Sequence, residues 1–400
     1  MNIWIFNHHA LTPQMAGGTR HFDFAQELVS RGHSVTIFAA SFHYAQHKEL
    51  KTYSSSYYLK EVIEGVTFIW LQTRPYKGNG LGRVLNMLDY MFKVQKVAHT
   101  ISNKPDVIIG SSVHLFAVYA AYKVAKKLQV PFVMEVRDLW PQTLIDMGIS
   151  KWHPFILLLS KLEVFLYNRA DKIITLLPNA SQYITKLGIA KEKITWISNG
   201  VALQDYSQEI TPSSKGLFTV TYTGSLGKAN VMHTFFEAAK ALQDKNPKIV
   251  FQVFGDGDLK PYFANYIQQH HLTNITLYPS VPKDEIPNIL MQSDLLYVGL
   301  LDSPLYRYGI SLNKIFDYLA STTPIIFASN AYNNPIEEAK AGITISPENT
   351  QSLVEAILKY NALPKNQLQK NHKHVFQFVE KNYSIQTLTT KLETLLKGLI

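Results

Sequence analysis

Lysine at 314 and aspartate at 317 stand three residues apart in GISLNKIFDYLASTTPIIFAS, residues 309–329, which reads as a loop, a short helix and a buried strand. With Ser311 as the helix cap, Leu312, Ile315, Phe316, Leu319 and Ala320 share one apolar face, and Lys314 and Asp317 stand together on another. At a helix start the backbone N–H groups, here those of Ser311, Leu312 and Asn313, lack intrahelical partners and the dipole favours an anion. Lys314 adds a full positive charge, which makes the segment a candidate diphosphate seat, with Asp317 an acceptor for a pair of sugar hydroxyls. The competing reading is a local ion pair at i, i+3, worth about a few tenths of a kcal/mol. On this segment alone the two readings are level.

Other reactive residue types stand at the ends of apolar runs. Arg137 and Asp138 close PFVMEVRD, where they are either a functional pair at a cleft or a strand-end ion pair. His114 follows DVIIGSS and is read as facing the same cleft, against the alternative of a satisfied histidine. None of the 14 histidines sits in a metal-binding pair such as HExxH. With no cysteine, disulfides, thiolate metal sites and a cysteine nucleophile are excluded, which fits a reducing compartment.

The elements that must position these residues repeat from end to end. NIWIF, HSVTIFAAS, DVIIGSS and PFVMEVRD are strand-like runs separated by helical patterns such as HFDFAQELVSRG and AVYAAYKVAKKLQ. Strands apolar on both faces, alternating with helices, predict an α/β fold with a parallel sheet covered on both sides. After the polar stretch ISNGVALQDYSQEITPSSKG the pattern restarts with LFTVTYTGS, KIVFQVFGDG, NITLYPSVP, DLLYVGL and TPIIFAS. The expected organisation is therefore two doubly wound, Rossmann-like domains, 1–200 and 201–370, and a helical region 371–400 able to pack back on either. Their sheets would face one cleft with the ligand-binding carboxyl ends of the strands.

Charge is distributed unevenly. Residues 1–200 hold 22 Lys and Arg against 13 Asp and Glu, and the remainder 17 against 17, so the net +9 lies in the first half. That half is expected to meet something anionic. No apolar run approaches the ~20 residues that span a bilayer, and MNIWIFNHHALTP lacks the layout of a signal peptide; the cytoplasm is the expected location.

Seven segments in register, GGTRHFDFAQELVSRGHSVTIFA, EVRDLWP, ISNGV, TYTGSLGKAN, VFGDGDLKPY, SVPKDEIP and GISLNKIFDYLASTTPIIFA, cover nearly the whole chain. In order and spacing they resemble the family-4 retaining glycosyltransferases of the GT-B fold, in particular the bacterial O-antigen and capsule branch similar to fucosamine transferases. The resemblance implies that Gly17 and Gly18 let backbone approach donor phosphates, with Arg20 beside them as a phosphate or acceptor ligand. The family's arginine after the first strand of the second domain is missing in Gly224-Ser225-Leu226-Gly227-Lys228, which assigns the leaving diphosphate to Lys228, Arg307 and Lys314 together with Ser311 and Leu312. Gly255 and Gly257, with Val281 and Pro282, would shape the base pocket, and Asp317 would hold the ribose. Asp256-Gly257-Asp258 is thus not read as a metal site, and no metal or other cofactor is expected. The first of the family's paired acidic residues falls at Gly309, so no side chain is assigned as base. A front-side, oxocarbenium-like path needs none, because the departing phosphate can take the acceptor's proton. Asp138 would orient donor sugar or acceptor, with Arg137 and His114 beside it.

The activity expected from the resemblance is transfer of a sugar from a UDP-sugar to a saccharide acceptor in surface polysaccharide assembly. An N-acetylated amino sugar such as N-acetyl-fucosamine is the donor sugar the branch suggests, and a polyprenyl-diphosphate-linked chain the acceptor. GLGRVLNMLDYMFKVQKVAH, with Leu81, Val84, Leu85, Leu88, Met91 and Phe92 at helical spacing beside Arg83, Lys93 and Lys96, reads as a basic amphipathic helix for an anionic membrane surface; HPFILLLSKLEVFLYNRADK is a second candidate or a core helix. The rival enzyme of this architecture is a nucleotide-sugar 2-epimerase. A basic nucleic-acid-binding protein is the rival from another class, disfavoured by dispersed charge and the lack of an aromatic-basic RNA signature.

Overall fold

The computed structural model describes residues 1–43, 46–78, 80–206, 216–368 and 370–400; the rest of the polar junction, 207–215, lies outside the described residues. The first lobe carries β1 (Asn2–Phe6), β2 (Ser34–Ala40), β3 (Phe42–His43), β4 (Lys48–Glu49), β5 (Tyr58–Ile63), β6 (Val66–Leu71), β7 (Val107–Ser111), β8 (Phe132–Val136), β9 (Lys172–Thr175) and β10 (Ile194–Trp196). The second carries β11 (Phe218–Thr223), β12 (Ile249–Phe254), β13 (Ile275–Tyr278), β14 (Leu295–Gly299), β15 (Ile325–Ala328) and β16 (Gly342–Ile345). Among the described residues the first sheet runs β10-β9-β8-β7-β1-β2-β6-β5 and the second β13-β12-β11-β14-β15-β16. With helices on both faces, the two mostly parallel sheets make the chain an α/β protein of the GT-B fold.

Strands β7 and β8 are buried along their whole length, which is why VIIGS and FVMEV read as continuous apolar runs. Periodicity did not signal the edge hairpin. Glu64 and Gly65, at φ 48° and 81°, make a tight turn between β5 and β6, and β5 therefore pairs antiparallel.

Strand order reverses at two places, between β1 and β7 in the first sheet and between β11 and β14 in the second. Neighbouring connections leave in opposite directions there and open a crevice at the carboxyl ends of the strands. The two crevices build the facing edges of the interlobe cleft.

The C-terminal helices join the lobes. Helix His372–Tyr383 buries Val375, Val379 and Tyr383 in the second lobe, and helix Ile385–Lys397 buries Ile385, Leu388, Leu392 and Leu396 against the first. The break falls at Ser384, whose side chain caps the last helix by accepting from the Thr387 N–H at 3.2 Å. Gly200 lies under this corner, where a Cβ would collide with the Tyr383 carbonyl.

Candidate functional site

The helix of the opening segment runs Asn313–Ser321, and its cap is Leu312 rather than Ser311. Ser311 is drawn away by the hinge: its Oγ accepts from the Asn199 N–H at 2.8 Å, and its carbonyl accepts from the Asn199 amide. Ile315, Phe316, Leu319 and Ala320 are buried as expected, with Leu312 half-buried, and so are Asp317 and Tyr318; the helix is enclosed on more than one face.

Lys314 and Asp317 do not pair with each other. The Lys314 ammonium donates to the Tyr222 hydroxyl at 2.7 Å and to Asn230 Oδ1 at 3.2 Å, and lies 4.1 Å from the centre of the Tyr222 ring. No carboxylate neutralises it among the described residues, and burial lowers its pKa to about 7. Gly224 makes room for it, since a Cβ there would lie 2.6 Å from Nζ. Asp317 instead pairs with Lys283 and accepts from the Tyr206 hydroxyl at 3.1 Å. A ribose bound by Asp317 would therefore have to share or displace Lys283.

Around the Lys314 ammonium the second lobe is built from glycine contacts. A Cβ at Gly255 would overlap the Gly224 carbonyl, and Gly257, at φ 149°, would press one 2.8 Å from the Leu226 carbonyl. These glycines stack the loop after β12 on the loop after β11, which carries the exposed Lys228. Asp256 pairs with Lys260 at 3.6 Å. Val281 and Pro282 are half-buried on the loop after β13, and the Phe254 and Tyr278 rings stack 4.4 Å apart at neighbouring strand ends.

Across the cleft, Gly17 holds φ 139°, and a Cβ on Gly18 would overlap the Asn313 side chain. Glycine at 18 is thus required by the approach of the first-lobe loop to the helix start of the second lobe. Gly309 shows the same logic from the other side: φ is 100°, and a Cβ would lie 2.5 Å from Pro178 of the first lobe. The acidic side chain missing at this position has no space there.

Three expectations need correction. Arg20 does not reach the cleft: its guanidinium is buried, bonded to Glu135 at 3.0 Å and to the backbone carbonyls of Ser198 and Ile197. His114 is fully buried and caps helix Leu115–Leu128, its Nδ1 accepting from the Ala117 N–H at 3.2 Å. With Nδ1 unprotonated, Nε2 carries the proton donated to His8 Nδ1 at 2.7 Å, and burial, with His9 and Arg83 adding, holds this imidazole well below the usual histidine range. Arg307 is engaged by Asp146 at 3.1 Å, an ion pair between the lobes at the mouth of the cleft rather than at the helix start.

Arg137 and Asp138 do face the cleft. A cavity of about 110 Å³ lies between Arg137, Asp138, Gln142 and Asp146 of the first lobe and Tyr308, Gly309 and Ser311 of the second. Arg137 anchors its backbone N–H on Ser112 Oγ at 3.0 Å, and its guanidinium makes no ion pair among the described residues. Asp138 is exposed and lines the cavity; desolvation raises its carboxyl pKa, with Arg137 opposing the rise.

Lys283, Tyr222, Asn230, Asn199 and Asn313 had no distinguishing signal in the sequence, because each acts through a partner remote in the chain. SVPKDEIP pointed to the right loop without selecting Lys283, whose backbone N–H also donates across the cleft to the Pro13 carbonyl at 3.1 Å. Chemically, the second-lobe edge offers an uncompensated cation at a helix start, suited to a phosphate oxyanion, and the first-lobe edge offers a guanidinium and a carboxyl to a neighbouring group.

Residues 17–200 match the glycosyl transferase 4-like domain and residues 218–361 the glycosyl transferases group 1 domain. The chain is 23% identical over 383 residues, 88% of its length and 91% of the relative's, to an Escherichia coli K12 protein carrying the name colanic acid biosynthesis glycosyl transferase WcaI. Among solved structures, sucrose-phosphate synthase from Thermosynechococcus elongatus superposes with TM-score 0.76 at 13% identity, covering 100% of this chain and 98% of that one. Anabaena HepE in complex with UDP and glucose gives 0.70 at 15%, and WaaG, a glycosyltransferase involved in lipopolysaccharide biosynthesis, 0.69 at 13%, each covering 100% of both chains. With these two domains in sequence on two facing parallel-sheet lobes, the chain belongs to the glycosyltransferases of the GT-B fold.

Proposed function

We propose that the protein transfers a sugar from a UDP-linked donor, with retention at the anomeric carbon, to a polyprenyl-diphosphate-linked saccharide acceptor during assembly of a surface polysaccharide such as O-antigen or capsule. The observation that carries the reading is the Lys314 ammonium, uncompensated by any described carboxylate and set at a helix start against the Gly224 loop, next to Asn313, which meets Gly18 across the cleft. Lys314, Lys228 and the N-terminal end of helix Asn313–Ser321 stabilise the leaving diphosphate without a divalent ion. Asp317 holds the ribose when Lys283 yields to it, and Val281, Pro282, Gly255 and Gly257 frame the base.

The steric closure at Gly309 supports a path without a protein base at that position. The acceptor's proton goes to the departing phosphate, and Asp138 and Arg137 orient the acceptor and donor sugar. Colanic acid and lipopolysaccharide in the names of the relatives favour a polysaccharide role, and the UDP complex of HepE favours a UDP-linked donor. An N-acetylated amino sugar such as N-acetyl-fucosamine is the donor sugar we assign, on the resemblance of the seven segments.

The test is a thermal-shift screen of nucleotides, followed by turnover of UDP-sugars with lipid-linked acceptors in the presence of a chelator and assignment of the anomeric configuration by NMR. Stabilisation by UDP with chelator-resistant, retaining transfer is expected. Donor turnover without acceptor, beyond slow hydrolysis, would favour the 2-epimerase instead, and an absolute requirement for a divalent ion would overturn the metal-independent scheme.

A further inference from the structure

Segment 147–169, directly after the cleft-lining helix Gln142–Asp146, turns an apolar ridge to solvent. Met147 is 71% exposed, Trp152 72%, Leu158 55% and Leu157 43%. On helix Pro154–Arg169 the exposed residues Leu157, Leu158, Lys161, Phe165 and Arg169 follow helical spacing and form one stripe. The opposite stripe, with Ile156, Leu159 and Leu166, is in the core. So large an outward apolar stripe on a helix already packed by its other side marks a surface made for contact.

The three helices of this face carry a net positive charge. Helix Leu115–Leu128 packs between helix Pro154–Arg169 and helix Leu81–Thr100, all three on the same face of the first sheet. They carry two, three and three Lys or Arg, in the order Pro154–Arg169, Leu115–Leu128, Leu81–Thr100. Their carboxylates are Glu163, which is buried, and Asp89, which pairs with Lys93 at 2.9 Å. Between 147 and 170 no carboxylate is exposed. The Lys151 ammonium lies 5.2 Å from the Trp152 ring and the Arg169 guanidinium 5.4 Å from that of Phe165, so cations accompany the apolar residues along the ridge.

Position completes the argument. A crossover helix between parallel strands runs antiparallel to them, so its N-terminus lies at the carboxyl edge of the sheet, where the cleft is. Trp152 and Leu157 at the start of one helix and the exposed Leu81 and Leu85 at the start of another therefore stand at the cleft end of this face. Apolar side chains at that end with cations along the face match a layer with an acyl interior and anionic headgroups.

We propose that this face, centred on the ridge Met147–Phe165, docks the protein on an anionic lipid bilayer with the cleft opening at the membrane surface. The proposal deepens the lipid-linked acceptor reading and rests on it for its purpose, but not for the contact itself. It adds helix Pro154–Arg169 to helix Leu81–Thr100, on which Leu81, Leu85 and Phe92 are exposed and Met91 is buried.

The test is co-sedimentation of the full chain with vesicles of phosphatidylcholine alone and of phosphatidylcholine with phosphatidylglycerol. Wild type should pellet with the anionic vesicles and be released by salt. Trp152→Ser with Leu158→Ser should lower the partition coefficient at least about tenfold, the least expected from losing large buried apolar side chains; Lys161→Glu with Arg169→Glu should abolish the preference for anionic lipid. Thermal shift by UDP should be unchanged in both variants, which shows that they are folded. Wild type left in the supernatant, variants that pellet like wild type, or a solution dimer that Trp152→Ser with Leu158→Ser dissociates would each overturn the proposal. Turnover with a water-soluble acceptor reads the cleft alone, so its failure with vesicle binding intact sinks the functional reading and leaves the docking face standing.

Discussion

The two crevices where strand order reverses are built alike and filled differently. In the first lobe, the ends of β1 and β7 are closed by the protein's own side chains: His8 bonds His114 and stacks on Tyr90 with ring centres 4.3 Å apart, while Glu135 gathers Arg20, His21 at 2.7 Å and Ser111 at 2.9 Å. Here Arg20 and His21 hold the Glu135 carboxyl well below the usual carboxylate range, against the upward push of its burial. In the second lobe, the ends of β11 and β14 leave Lys314 with a hydroxyl, an amide and a ring but no counter-charge. The ends of β1 and β7 are finished without a ligand, and the ends of β11 and β14 are not. A buried charge marks a binding site when its compensation is missing, not merely when it is buried.

The sharpest way to break this contrast is to remove compensation from the first lobe. Glu135→Ala should cost ~3–5 kcal/mol of folding stability by leaving Arg20 buried without its carboxylate, read by urea denaturation; a loss within the error of the measurement would show that the network is not structural. Lys314→Ala should act on function instead, reducing kcat/KM for the donor by about 1.5–3 kcal/mol with folding intact, as expected for a hydrogen bond to a charged group. Normal kinetics in that folded variant would remove Lys314 from the phosphate seat.

A smaller effect sharpens the same point. In the free protein the Lys314 ammonium loses its proton at a pKa of about 7, and a bound diphosphate would raise that value. UDP binding should then take up protons, and its affinity should weaken up to about tenfold per pH unit as pH rises above 7 until the bound-state pKa is reached. Isothermal titration in buffers of different ionisation enthalpy measures this uptake; a flat profile from pH 7 to 9 would mean that Lys314 is not at the phosphates. Arg307→Ala should do least, changing stability by ~0.2–1 kcal/mol, because the Arg307–Asp146 pair is partly exposed and screened. A large loss of turnover would return Arg307 to the phosphate site.

The features legible in the amino-acid order are local in origin. The alternation of apolar runs and amphipathic helices reports burial within single elements, so both sheets and a helical region 371–400 could be read, without the break at Ser384 that divides it into two helices. The resemblance set Gly18, Gly255 and Gly257 beside donor phosphates or base, whereas the groups that meet them in the fold, Asn313 across the cleft at Gly18, Gly224 at Gly255 and Leu226 at Gly257, had no signal in the sequence. The tertiary structure decided which polar residues remain available. Arg20 meets Glu135 115 positions away, His114 meets His8 106 away, Ser311 meets Asn199 112 away, and Asp317 meets Lys283 34 away. A side chain's type sets what it can bond to, but its partner depends on which strand ends the sheet order brings together, and no local pattern encodes that. Lys314 and Arg20 are alike as basic residues near glycine loops, and only the packed lobes distinguish the charge that is answered from the one that is not.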